Sequence, residues 1–191
     1  MQKDIILVSS NAGKVAEVKA ILTEFNVLSL KDIQLDLEVD ETGLTFEENA
    51  ILKVNALKDH YDYVIADDSG LEIEALDNQP GVLSHRFLGE DTPFEVKNPM
   101  VLEMMQDKEN RNARFTSVIA LSVKGEITTF KGILNGEITY DLRGTNGFGY
   151  NPIFLIPELS KTLAELNDEE KNGVSHRGIA LKKLGEYLEN E

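Results

Sequence analysis

Two adjacent carboxylates, Asp67 and Asp68, follow the apolar run Val64-Ile65-Ala66 and precede Ser69-Gly70. A short, bounded apolar run fits a buried strand, and ligands of open α/β sheets bind just outside the carboxyl ends of strands. A carboxylate delivered there can hold a hard cation, typically Mg²⁺ that also touches substrate phosphates. If extended geometry continues past Ala66, the two side chains point to opposite faces and one of them lines the site. The same letters also spell an Asp-Ser-Gly turn whose side chain caps itself. Spacing alone leaves both readings open.

Other segments supply what a cation on a nucleotide would need. Ser9-Ser10-Asn11-Ala12-Gly13-Lys14 joins an expected strand over Ile5 to Val8 to an expected helix over Lys14 to Leu22. Such a helix N-terminus offers free N–H groups to an anion. The loop lacks the GxxxxGK[ST] spacing of a P-loop. Thr45-Phe46-Glu47-Glu48 reads as a capping box opening a helix to about His60, with Phe46, Ala50, Val54 and Leu57 inward. Asn49 and Lys53 fall four residues apart on another stripe, so they can face one ligand. Glu41, just before Thr42-Gly43, could join Asp68 at a cation or stay a surface carboxylate. Glu47 and Glu48 suit a helix N-terminus and are not read as catalytic.

Near the C-terminus, Lys171 stands one short loop before His176 and Arg177, and Arg177 occupies the first turn of a helix expected from the cap Ser175 toward Asn190. The helix dipole disfavours a cation there, which suggests a ligand that compensates. A solvated basic loop balancing Asp168, Glu169 and Glu170 is the plain alternative. Phe148-Gly149-Tyr150, inside the glycine-rich stretch 144–151, could stack on a base or fill a core corner.

The elements that must position these groups alternate between helix and strand, so the expected class is α/β. Leu71 to Ala75 alternates like a separate half-exposed strand, Phe94 to Gln106 like a helix broken or kinked at Pro99, and Phe115 to Phe130 like a hairpin around Lys124-Gly125. There is no internal repeat and no domain linker, so residues 1–191 read as one domain. A net charge of −15 repels nucleic acid and anionic membranes, so no nucleic acid or membrane partner is expected and a small polyanion needs a local basic pocket. The chain has no cysteine, which excludes disulfides, thiolate metal sites and cysteine nucleophiles. The apolar run after the N-terminus is too short for a signal sequence or membrane span, so a cytoplasmic setting is expected.

Taken together, the stretches Ser9–Lys14, Glu41–Ala50, Ala66–Leu71, Pro80–Phe87, Gly147–Pro152 and Glu170–Arg177 resemble, in order and over nearly the whole chain, the inosine/xanthosine triphosphate pyrophosphatase family of house-cleaning nucleotide hydrolases. The resemblance implies a two-lobed α/β fold with a long mixed sheet, a substrate cleft between the lobes, and usually a homodimer. It implies Mg²⁺-dependent hydrolysis of ITP, dITP and XTP to the monophosphate and pyrophosphate. By position, Asp68 matches the catalytic acid–base and metal residue, and Glu41 a metal carboxylate. Ser9, Ser10, Asn11, Ala12, Gly13, Lys14 and Lys53 match triphosphate contacts, and Ser69 a substrate contact. Phe148, Gly149, Tyr150, Asn151, Lys171, His176 and Arg177 match the nucleobase end, where Arg177 as a pure donor suits a 6-oxopurine.

Two positions depart from the family pattern. Asn151 stands where the family usually has Asp, which bears on base preference, and His85 stands where bacterial members usually have Ala. Pyrophosphatases for modified or pyrimidine triphosphates, and a nucleotide-binding regulator without turnover, are the competing readings.

Overall fold

A computed structural model describes residues 2–190. Its strands are β1 (Asp4–Leu7), β2 (Asn26–Ser29), β3 (Tyr63–Ile73), β4 (Gln79–Pro80), β5 (Asn112–Val123), β6 (Glu126–Ile138), β7 (Phe154–Ile156) and β8 (Lys161–Thr162). The helices are α1 (Ala12–Ile21), α2 (Phe46–Asn55), α3 (Phe94–Met104), α4 (Asp168–Val174) and α5 (His176–Glu189). The strands form one mixed sheet ordered β2-β1-β3-β5-β6-β7-β8, with β4 added to β3. β1 pairs parallel with β2 and with β3, whereas β4, β7 and β8 pair antiparallel with their neighbours. The expected α/β class with a mixed sheet is what the chain adopts.

The chain forms two compact units. The first comprises the chain up to Asp68, Ser117–Gly132 and the segment from His176 onward; the second comprises Ser69–Thr116 and Ile133–Ser175. Each has its own apolar core. In the first, Ile5, Leu7 and Ile65 from the parallel strands meet Val18 and Leu22 of the first helical segment and Ala180, Leu181, Leu184 and Leu188 of α5. Ala180, Leu184 and Leu188 recur every four residues, the inner face that helical spacing leads one to expect, and Leu181 is buried beside them. In the second, Leu71, Ile73, Phe115 and Ile138 meet Val101 and Met105 with Tyr150, Ile153 and Phe154.

Several elements differ from the sequence expectation. β3 does not end at Ala66; it runs unbroken from Tyr63 to Ile73. The two strands expected around an Asp-Ser-Gly loop are therefore one, and the self-capping turn is excluded. Burial on both faces explains it: Ala66, Asp67, Asp68, Gly70 and Leu71 are all buried, and neighbours on both sides keep the backbone paired despite weak strand formers. α2 stops at Asn55 and the segment to His60 continues as turns. α3 passes through Pro99 as a single helix. Lys171 lies on a short helix, not a loop: Asn167 caps α4 in a reciprocal box with Glu170. The hairpin turn at Lys124-Gly125 is as expected, both residues at positive φ.

Candidate functional site

Continuation of β3 through the acidic pair is what builds the site of the first unit. Successive strand residues face opposite ways, so Asp67 and Asp68 enter different neighbourhoods. Asp67 meets Lys14 Nζ at 2.7 Å and Arg177 Nη2 at 3.2 Å, and accepts a hydrogen bond from Ser117 Oγ. Asp68 accepts from Asn49 Nδ2 at 3.1 Å and lies 3.4 Å from Lys53 Nζ. Lys53 also pairs with Glu41 and donates to the Asp67 carbonyl at 3.1 Å. Asn49 and Lys53 thus share a face of α2, as their spacing requires, and both turn to Asp68.

These neighbourhoods drive the two carboxyls apart. Burial raises the Asp67 pKa, but Arg177 and Lys14 outweigh it and hold the group well below the usual carboxylate range. Burial also raises Asp68; Lys53 and Lys14 oppose this, Glu41 and Asp67 reinforce it, and the net shift is upward. A permanently ionised anchor therefore stands next to a carboxyl poised to take up a proton, the pattern by which acid–base roles are divided between paired carboxylates. Burial lowers the Lys14 pKa despite Asp67. For Lys53 burial acts downward, but Asp68 and Glu41 prevail and its pKa rises.

Loops complete this side. Asn11 caps α1 by accepting from Lys14 N at 3.0 Å, and Ser9 Oγ accepts from Asn11 N at 3.2 Å. Ser10 and Ala12 are exposed and Gly13 is half-buried. The strand-to-helix turn thus presents the N-terminus of α1 beside Lys14. Thr45 caps α2 as expected, accepting from Glu48 N at 3.1 Å, while Glu48 reaches back to Leu44 N at 2.6 Å. Asn49 uses its other end to accept from Gly43 N at 2.8 Å. A Cβ on Gly43 would stand 2.6 Å from Asn49 Oδ1, so glycine lets the loop carrying Glu41 close onto α2.

Arg177 is buried in the same cluster. Its Nε and Nη2 face Asp67, and Nη1 pairs with Glu17 of α1. Compensation for a cation in the first turn of α5 thus comes from two carboxylates of the chain itself. His176 is buried alongside it at the start of the helix.

The second unit holds the remaining expected residues. Ser69 follows Asp68 on β3 and is half-buried. Tyr150 is a core aromatic: its ring meets Phe94 edge-on at 5.0 Å and its hydroxyl donates to the Ser84 carbonyl at 2.7 Å. Phe148 and Gly149 are half-buried. Gly147 has φ +81°, and a Cβ there would stand 2.3 Å from Asn151 Nδ2 and 3.4 Å from Lys171 Nζ. The bare glycine thus has two donors beside it, an amide and an ammonium. Lys171, nearly buried, is 3.5 Å from Asp168. His85 is exposed, and its carbonyl accepts from Lys97.

A family model described as the Ham1 family matches residues 5–187. The chain belongs to the Ham1 family. A protein of Staphylococcus epidermidis named dITP/XTP pyrophosphatase is 46% identical over 191 residues, covering 99% of this chain and 98% of that protein. The solved structure of the Staphylococcus aureus Ham1 protein is 43% identical with a TM-score of 0.89, covering 98% of this chain and 99% of that one. A HAM1 protein from Coxiella burnetii is 37% identical with a TM-score of 0.90 over the full length of both chains.

Within this Ham1-family chain, some functional neighbours had no sequence signal of their own. Glu17 sits at an ordinary polar position of α1, yet it is buried against a partner 160 residues away. Ser117 lies inside an apolar strand and reads as a filler, yet it bonds Asp67. For Ser117 alone, a polar residue on a strand expected to be buried was an available clue.

Proposed function

We propose that this chain hydrolyses dITP, ITP and XTP to the monophosphate and pyrophosphate. The observation that carries the reading is the divided pair, Asp67 ionised and anchored, Asp68 pushed upward beside Lys53 and Glu41. The names of its relatives support the substrate class.

Water attacks the α-phosphorus, its proton passes to Asp68, and the α–β anhydride bond breaks to release pyrophosphate. Lys14, Lys53 and the N-terminus of α1, with Ser9 to Gly13, take the negative charge of the polyphosphate. Lys14 is held toward that task by Asp67, and Asp67 by Arg177. The donor set also fits a hard cation. Asp68 and Glu41 offer oxygen atoms, and Mg²⁺ takes only one or two protein carboxylates alongside substrate phosphates. Among the described residues no group of three or more His, Cys, Asp or Glu forms a larger metal centre. When bound there by Glu41 and Asp68, Mg²⁺ would supply electrostatic stabilisation of the leaving pyrophosphate.

At the base end, Lys171 can only donate. It suits the 6-oxygen of hypoxanthine or xanthine and leaves the 6-amino group of adenine facing a donor. A mismatch of this kind in a polar site is worth up to about 10⁴-fold discrimination. We take the working form to be a homodimer in the cytoplasm; Val96, Met100 and Met104 on α3 leave apolar surface exposed, and no helix among the described residues is long and apolar enough to cross a membrane.

The test is pyrophosphate release with Mg²⁺ across dITP, ITP, XTP, GTP, ATP and UTP, repeated with EDTA. Release from the first three, abolished by EDTA, is expected. A profile led by GTP or pyrimidines would move the substrate assignment, and binding without release would leave a regulator.

A further inference from the structure

Two consecutive residues of α3 are buried, polar and unused by the site above. Lys97 is 1% exposed and Asn98 is 3% exposed. Lys97 Nζ donates to the His85 carbonyl and lies 5.0 Å from the centre of the Phe94 ring. Asn98 Nδ2 donates to the Gly149 carbonyl at 3.0 Å. One residue further along, the Tyr150 hydroxyl donates to the Ser84 carbonyl. Ser84 is itself fixed, its Oγ accepting from Leu71 N at 2.8 Å and donating to the Gly81 carbonyl at 2.6 Å.

The stretch from Gly147 to Asn151 is thus tied at two successive residues, and the tie at Gly149 falls where the backbone has φ +68°. The orientation of the Asn98 amide is not arbitrary, since a flipped amide would set oxygen against the Gly149 carbonyl oxygen. Asn98 Oδ1 is buried with no hydrogen-bond partner among the described residues. The contribution of that side chain is concentrated in one bond, to Gly149.

We propose that Asn98 is a positioning residue for base selection: its bond to the Gly149 carbonyl fixes the turn that sets Phe148 on one side and Asn151 on the other. This rests on the reading of Gly147–Asn151 as the base end. The phosphate-side cluster, Lys14, Lys53, Asp67 and Asp68, belongs to the other compact unit, so the two ends of the substrate are expected to respond separately to the loss of the clamp.

Asn98→Asp tests this, since it keeps the shape and replaces the donor with an acceptor. Steady-state kinetics with dITP and dATP are read beside inhibition by inorganic tripolyphosphate, a probe of the phosphate side, and beside a thermal melt. The expected result is a KM for dITP raised by about tenfold with kcat little changed, and a dITP-over-dATP ratio of kcat/KM lowered by about tenfold. Inhibition by tripolyphosphate stays within about twofold of the parent. An unchanged ratio in a folded variant, or a parallel loss of tripolyphosphate inhibition, overturns the proposal. Should Asn98→Asp fail to fold, Tyr150→Phe loosens the same stretch by one hydroxyl. It is expected to lower the ratio in the same direction, and an unchanged ratio there overturns the proposal equally. A parent protein with no preference for dITP over dATP refutes the base-end reading and the clamp with it, whereas a selective parent with an equally selective variant refutes the clamp alone.

Discussion

Replacing each of the two adjacent aspartates with asparagine should move stability in different ways, although the residues are neighbours on one strand. The Asp67 side chain is 1% exposed, and its partners Arg177 and Lys14 are 4% and 16% exposed. Asp67→Asn leaves those cations facing a neutral amide in a place water reaches poorly. Removing one member of a buried ion pair costs about 3–5 kcal/mol. At about 2–4 °C per kcal/mol for a chain of this size, the midpoint of thermal unfolding should fall by roughly 6–20 °C. Asp68→Asn removes a carboxylate whose ionisation burial already opposes, and Lys53 keeps Glu41; stability should stay within about 1 kcal/mol of the parent.

The pH dependence gives the Asp67 effect a signature. A carboxyl depressed in the folded state contributes stability that is complete above its unfolded pKa, about 3.9, and is lost as pH falls toward the folded value. The gap between parent and Asp67→Asn should therefore be full at neutral pH and shrink below about pH 4. Urea unfolding at a series of pH values measures both variants. An Asp67→Asn protein as stable as the parent at neutral pH, or a gap independent of pH, would refute the ion-pair account of the cluster.

Other outcomes follow from the same geometry. Because the Asp68 pKa is raised and its basic form accepts the proton, kcat/KM should fall with decreasing pH along a limb whose midpoint lies above about 3.9; a pH–rate profile with the limb at or below that value contradicts the role. Glu17→Ala should cost about 1.5–3 kcal/mol through Arg177, measured by urea unfolding. Gly147→Ala places a Cβ against the Asn151 amide at a positive φ, so KM for dITP should rise by about tenfold or more while tripolyphosphate inhibition persists; unchanged KM would separate Gly147 from substrate binding.

Much of this arrangement was legible from local rules. The Thr45 cap, the shared face of Asn49 and Lys53 and the buried stripe of α5 each depend on residues within a few turns of one another, and helical geometry alone decides them. The length of β3 did not follow from local rules, because Asp-Asp-Ser-Gly favours a turn in isolation and becomes strand only when both faces are covered by distant segments. The chemistry of Arg177 was legible only as an oddity, a cation at the wrong end of a helix. Its explanation lies in Glu17 and Asp67, which are far from it in the chain. No local rule singles out Asn98 and Lys97, polar residues just before Pro99; their burial is a property of the packed second unit, which no local window contains.

The central claim is that this chain cleaves dITP at the α-phosphorus through Asp68. The most direct measurement is turnover of dITP with Mg²⁺ in ¹⁸O-labelled water, with mass analysis of both products, for the parent and for Asp68→Asn. The account predicts label in dIMP, none in pyrophosphate, and no turnover by a folded Asp68→Asn. Label in pyrophosphate or in released phosphate, or near-parental turnover by Asp68→Asn, would contradict it.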